Sequence, residues 1–126
     1  MVPKSLRTWF VIHFIADYVF GLPLLLAPVW ILTLFGWTTV DPTTARLVGA
    51  ALLGIGGESL LMRNASLETF KAMLNLKVIW SLSAIFGIAV SIIEGAPPMS
   101  WGFLGIFVTF SANWIYYRIR LQRSEL

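Results

Sequence analysis

The chain has 126 residues, of which 58% are hydrophobic and only 12% are charged, and its formal net charge is +3. Soluble domains carry roughly a quarter charged residues. A mean hydropathy of +0.83 therefore excludes disordered, collagen-like and coiled-coil chains and indicates a protein whose solvent is lipid. The absence of cysteine excludes disulfide scaffolds and thiolate metal sites.

The length allows a single domain. The one histidine, His13, excludes metal sites that need two histidines from one chain. The excess of positive charge forms no basic stripe, and membrane proteins collect Lys and Arg on cytoplasmic loops. We therefore expect no metal, no cofactor and no nucleic-acid partner, and we expect the lipid bilayer to be the main partner.

Four stretches are long and apolar enough to cross the hydrocarbon core of a bilayer, which takes roughly 20 residues of helix. The first starts near Thr8, and Pro23 and Pro28 are expected to kink or stop it near its far end. The segment at 28–37, which follows the first span, is too short to cross the membrane. Its two tryptophans suit a short helix in the membrane interface. Each span is expected to be helical, because a lone strand leaves backbone groups unpaired in lipid. The predicted spans are 8–27, 43–62, 70–93 and 99–117, with the interfacial segment at 28–37.

The signals for helix starts differ in strength. Asp41 followed by Pro42 is typical of a helix start and precedes the second span. Ser66 precedes the third span, but Thr69 does not complete a capping box with it, so the start of this helix stays open. The fold class predicted from these elements is all-α: a polytopic membrane protein built as an antiparallel four-helix transmembrane bundle.

The positive charges predict an orientation. Eight of the nine Lys and Arg residues fall on one side of the predicted spans, and only Arg46 falls on the other, with Asp41 and Glu94. Basic residues favour the cytoplasmic side, so both termini are expected in the cytoplasm, in a multi-pass protein of the plasma (inner) membrane. Aromatic residues near the span ends are expected to form interfacial belts: Trp9, Trp30, Trp37, Trp101, Trp114, Tyr116 and Tyr117.

Each predicted span carries a polar group. His13 and Asp17 are four residues apart in the first span and so share one helix face. Glu58 lies in the second span, Lys77 in the third and Asn113 in the fourth. If these faces point inward, the five residues meet in the cytoplasmic half of the bundle, where Lys77 pairs with one carboxylate and His13 shares a proton with the other. Ionisable residues in a membrane indicate either function or interhelical pairing.

Small residues line two of the spans at helical spacing. Ala50, Gly54 and Gly57 share a face of the second span with Glu58, and Gly102 and Gly105 lie on one face of the fourth. Such faces let helices approach closely. They predict packing surfaces, either within the bundle or against another protein.

Two functions fit these patterns. In the first, the polar cluster lines a cavity open to the cytoplasm that binds or passes a small solute or proton, with Glu58 as the preferred carboxylate. In the second, the chain is a non-catalytic accessory subunit, part of a homo-oligomer or of a complex with a larger membrane partner. No serine elbow accompanies His13 and Asp17, so the sequence gives little support to an enzyme and no catalytic residue is assigned.

The stretch from Ala45 to Glu58, preceded by Leu-Phe-Gly-Trp at 34–37, resembles the second span of small uncharacterised four-helix integral membrane proteins of bacteria and archaea. This resemblance implies the four-helix layout and no biochemical activity. The size and span number are also similar to those of small multidrug exporters, whose first span carries an acidic residue. Asp17 would occupy that role, although His13 and the glycine-poor first span depart from the exporter pattern.

Overall fold

The structure is a computed structural model that describes residues 1–124. It is all-α, as predicted, and the described part of the chain contains no strand. The helices are α1 (Lys4–Leu26), α2 (Pro28–Leu34), α3 (Pro42–Leu61), α4 (Leu67–Ile93) and α5 (Met99–Arg123). The chain divides into two compact units. One is Pro3–Asn64 with α1, α2 and α3, and the other begins at Ala65, also includes Met1–Val2 and contains α4 and α5.

Local sequence explains where the helices begin and end. Pro23 does not stop α1, which continues to Leu26 before Ala27 leaves the helical conformation with φ −143°. Pro28, at the first position of α2, then starts a short helix of seven residues. Gly36, two residues after the end of α2, has φ 104°. Glycine adopts this left-handed conformation without steric penalty.

Two of the longer helices, α3 and α4, begin at capping side chains. The carboxylate of Asp41 accepts a hydrogen bond from the Thr43 amide at 3.1 Å and caps α3. Ser66, whose role the sequence leaves open, caps α4 by accepting from the Thr69 amide at 3.3 Å. These bonds satisfy amide groups that the first turn of a helix leaves without a partner.

In the first unit, α1 and α3 run antiparallel. At one end the Arg7 guanidinium donates to the Arg63 carbonyl at 2.9 Å, and at the other the Arg46 Nε donates to the Leu25 carbonyl at 3.3 Å. Each helix buries a single stripe of residues spaced by three and four positions. The stripes are Leu6, Phe10, His13, Asp17 and Gly21 in α1, and Ala45, Gly49, Leu52, Gly56 and Ser59 in α3.

In the second unit, α4 and α5 are also antiparallel. Asn75 near the start of α4 accepts from Arg118 near the end of α5 at 2.7 Å, while Trp80 meets Phe107 edge-on with ring centres 6.2 Å apart. Their deepest stripes have the same spacing of three and four residues: Phe70, Leu74, Lys77 and Ser81 in α4, and Ser111, Trp114, Tyr117 and Leu121 in α5.

The buried stripes of α1 and α4 share one register, 64 positions apart. Leu6, Phe10, His13 and Asp17 correspond in order to Phe70, Leu74, Lys77 and Ser81. In both helices two large apolar residues come first, then a nitrogen base, then a small polar side chain. The first long helix of each unit therefore has the same order of buried residues.

The outer surfaces are apolar. Ile15, Val19, Ile79 and Phe86 are each more than half exposed, as expected where the surroundings are lipid rather than water. Three helices, α1, α3 and α4, are long and apolar enough to cross a membrane. These features are those of a membrane protein.

Candidate functional site

The side chains of His13 and Asp17 lie close together near the middle of α1. Their spacing of four residues places them one turn apart on one face, and the His13 Nε2 lies 3.3 Å from an Asp17 carboxylate oxygen. Both residues are buried, with 4% and 6% of their surface exposed. The structure thus brings together the two residues of the predicted site that share a helix.

The glycine face of α3 makes room for this pair. A Cβ atom added at Gly56 would lie 2.6 Å from the Asp17 Cβ, well inside the separation of about 3.5–4.0 Å at which carbon atoms pack. One turn away, the Tyr18 hydroxyl donates to the Leu53 carbonyl at 3.2 Å. Only a residue without a side chain at position 56 allows the α3 backbone to lie against Asp17. The sequence prediction did not single out Gly56.

The small residues of α3 that pack against α1 differ from those predicted. Gly49 and Gly56 lie on the α1 side of α3, whereas Ala50 is exposed and Gly54 has no heavy atom within 4 Å of an added Cβ. Successive helix positions turn by about 100°, so the contact face lies one residue before the predicted one. Gly57 approaches only the Tyr18 hydroxyl, at 2.9 Å from an added Cβ.

Glu58 is exposed on α3, and so it does not lie on the buried stripe with its neighbours Gly56 and Ser59. Ser59 is fully buried and its hydroxyl donates to the Ile55 carbonyl at 2.8 Å. Of the two carboxylates predicted for the site, Asp17 is therefore the buried one.

Lys77 is buried in the second unit, with 1% of its surface exposed. Its ammonium nitrogen lies 5.0 Å from the centre of the Trp114 ring, within the range of a cation–π interaction, which is worth about 2 kcal/mol when desolvated. The expectation that Trp114 belongs to an interfacial belt is wrong, because this ring is 1% exposed and stacks on Phe110 at 5.7 Å. The Trp114 ring instead lies against the buried Lys77 side chain.

Asn113 lies one residue before Trp114 on α5 and is half-buried. Its amide nitrogen is buried and has no hydrogen-bond partner among residues 1–124, and the same holds for the Ser111 hydroxyl and the Trp80 indole nitrogen. Buried donors of this kind usually have partners. The α4–α5 unit therefore has polar groups in its interior that the described residues do not satisfy.

The predicted small face of α5 is open in the structure. Gly102 and Gly105 are both exposed, and an added Cβ at Gly105 would meet no heavy atom within 4 Å. Within residues 1–124, no three His, Asp or Glu side chains come together in a way that could hold a metal ion.

Comparison with models of protein families, with curated proteins and with solved structures finds no match to this chain.

Proposed function

We propose that this chain is a four-span protein of the plasma (inner) membrane, with both termini in the cytoplasm, that binds or passes a small solute or proton. Three helices qualify as spans by length and hydropathy. The fourth span of this proposal is α5, which has 25 residues, a length of roughly 37 Å at about 1.5 Å per residue.

Two residues of α5 with hydroxyl groups are buried. Ser111 and Tyr117 are 3% and 5% exposed, whereas Trp101, Val108 and Ile115 lie on the exposed side. A helix with an apolar exterior and a polar buried stripe suits a membrane bundle. The distribution of Lys and Arg supports cytoplasmic termini in this arrangement.

The chain contains no cysteine, so single cysteines can map this topology in intact cells. Asn64→Cys and Ser124→Cys should react with a membrane-impermeant maleimide only after the membrane is opened. Thr38→Cys and Ala96→Cys should react from outside. External labelling of the Ser124→Cys variant, or protection of the Ala96→Cys variant, would contradict four spans with both termini inside.

The observation that carries the proposed activity is the buried pair of His13 and Asp17 in a helix apolar enough to span. Ionisable residues inside a membrane are energetically unfavourable, and they commonly mark proton or solute pathways. When an imidazole and a carboxylate at 3.3 Å share one proton, the pair is neutral. Losing that proton leaves a negative charge, and gaining a second leaves a positive one, so the pair can exchange its proton for a cationic solute or relay it.

The test is proton flux into vesicles that contain the purified full-length protein and a pH-sensitive dye, under an imposed membrane potential. Asp17→Asn should abolish the protein-dependent flux, because the amide cannot accept the proton. Glu58→Gln is the matched control: it makes the same change of acid to amide on an exposed position of the same unit, and its flux should equal that of the unmodified protein.

Folding must be separated from activity in this test. Each variant is compared with the unmodified protein by far-UV circular dichroism and by elution volume. If Asp17→Asn does not fold, His13→Gln supplies the second test of the pair. Unchanged flux in folded variants of both residues would refute the role of the pair, and loss of flux in Glu58→Gln alone would move the site to Glu58.

A second function, that of an accessory subunit, is supported by one observation. Ala50 and Gly54 form an exposed small-residue face on α3. If the chain is an accessory subunit, this face packs against another copy or a larger membrane partner. Gly54→Leu should then disrupt a complex recovered by gentle solubilisation, whereas Gly87→Leu, at another open position on α4, should not. Recovery of the same complex from both variants would refute this function.

A further inference from the structure

A shallow groove lies near the end of α5, outside the buried stripes. It has a volume of about 320 Å³ and is lined by Tyr116, Ile119, Arg120 and Arg123. These residues are spaced by three, one and three positions, which places them on one continuous face of the helix.

The two arginines of the groove carry charge that the described chain does not neutralise. Both are exposed, and neither forms a salt bridge with a residue in the range 1–124. Arg118 differs, since it donates to Asn75 at 2.7 Å and to Gln122 at 3.3 Å. Two like charges three residues apart on a helix repel each other, so an anion bound between Arg120 and Arg123 would stabilise this turn.

The other half of the groove is apolar. Ile119 is 48% exposed and Tyr116 is 57% exposed, and the Tyr116 ring packs edge-on against Tyr117 with ring centres 5.1 Å apart. Along α5 the groove thus changes from an aromatic and aliphatic surface to a pair of guanidinium groups. A phospholipid has the same order of parts, with acyl chains next to a phosphate group.

We propose that this groove is a binding site for one anionic phospholipid. The phosphate lies between the guanidinium groups of Arg120 and Arg123, and an acyl chain lies along Ile119 and the Tyr116 ring. Guanidinium groups suit this ligand because their fork of N–H donors matches the oxygens of a phosphate. The inference depends on the proposed topology, in which α5 reaches the cytoplasmic membrane surface, and it does not depend on proton exchange by His13 and Asp17.

The experiment measures lipid retained by the full-length protein. The protein is exchanged from micelles that contain equal amounts of phosphatidylglycerol and phosphatidylcholine, and the bound lipids are counted by native mass spectrometry. The unmodified protein should keep one phosphatidylglycerol in preference to phosphatidylcholine. Arg120→Gln and Arg123→Gln should each weaken this retention about 5-fold, as a basic residue near a membrane surface contributes about that factor.

The matched control is the double variant Lys4→Gln/Arg63→Gln, which removes two exposed basic residues from the same proposed membrane side but outside the groove. It should retain phosphatidylglycerol like the unmodified protein. Equal loss in the control and in Arg120→Gln/Arg123→Gln would mean general surface attraction and would overturn the site. No preference for phosphatidylglycerol in the unmodified protein would also overturn it.

A competition step separates a lipid from a soluble phosphate ester. Glycerophosphoglycerol, which has the headgroup without acyl chains, should fail to displace the lipid at concentrations where short-chain phosphatidylglycerol does. Displacement by the headgroup alone would overturn the lipid assignment. Because retention is read without proton flux, a failure of Asp17→Asn to change flux leaves this result unaffected, and labelling of Ser124→Cys tests the topology separately.

Discussion

Alanine substitutions along α3 test the packing of the first unit most directly, because three of its glycines differ in what surrounds them. A Cβ at Gly49 would lie 2.8 Å from the Gly21 carbonyl oxygen and from the Leu25 amide nitrogen. A Cβ at Gly56 would lie 2.6 Å from the Asp17 Cβ, and one at Gly54 would have no heavy atom within 4 Å.

The magnitude follows from these distances. Carbon atoms pack at about 3.5–4.0 Å, so α1 and α3 must separate by roughly 1 Å to accept alanine at Gly49 or Gly56. Overpacking of this kind lowers the free energy of unfolding by about 1–3 kcal/mol. Replacing glycine by alanine inside a helix contributes about 1 kcal/mol of stability at each of the three positions. The Gly54→Ala variant should therefore be at least as stable as the unmodified protein.

All three alanine variants gain the same helix propensity, so this gain cancels when their free energies of unfolding are compared with each other. Gly49→Ala should be less stable than Gly54→Ala by about 1–3 kcal/mol, because the Gly21 and Leu25 backbone atoms it meets cannot rotate away. Gly56→Ala should fall in the same range, since the Asp17 Cβ is fixed to its backbone. The assay is reversible denaturation in mild detergent, followed by far-UV circular dichroism. Equal stability of Gly49→Ala and Gly54→Ala would refute the contact between α1 and α3.

Two further predictions concern helix starts. Ser66→Ala should lower the free energy of unfolding by about 1 kcal/mol, because the Thr69 amide loses its capping partner. The control, Ser83→Ala at an exposed position in α4, should change the free energy of unfolding by less than about 0.5 kcal/mol. Equal denaturation midpoints for the two variants would contradict the cap. The Thr44 hydroxyl donates to Asp41 and lowers the pKa of that carboxyl below its ordinary value of 3.8. The ionised Asp41 therefore stabilises the folded protein above the pKa of the unfolded state, and this stabilisation is lost as the pH falls through the folded pKa. Asp41→Asn should therefore flatten the dependence of unfolding on pH below about 4, and an unchanged pH profile would contradict this.

The helices could be predicted from the sequence because each depends on local signals. Hydropathy and length place α1, α3 and α4, and Asp41 with Pro42 marks the start of α3. The boundaries differ where tertiary contacts extend a helix. α1 begins at Lys4 rather than near residue 8, and Arg7 in its first turns reaches the Arg63 carbonyl. α5 runs to Arg123, beyond the predicted end at 117, and Arg118 in this extension bonds to Asn75 on α4.

The rotation of α3 could not be predicted so well. On α3 the predicted face contains Gly54 and Glu58, whereas the buried face contains Gly49 and Gly56. Both faces are rich in small residues, so composition does not distinguish them. Both faces also have the spacing of three and four residues, so only the contacts with α1 distinguish them.

The register shared by the buried stripes of α1 and α4 bears on the proposed function. Replacing a buried ion pair by apolar residues of similar size is often neutral or stabilising, so stability alone does not account for a nitrogen base at the same register position of both helices. The two units hold this base differently. His13 pairs with Asp17 beside a glycine, while Lys77 lies against the ring of Trp114. The proposed proton exchange therefore uses the α1–α3 unit, where an imidazole and a carboxylate lie together.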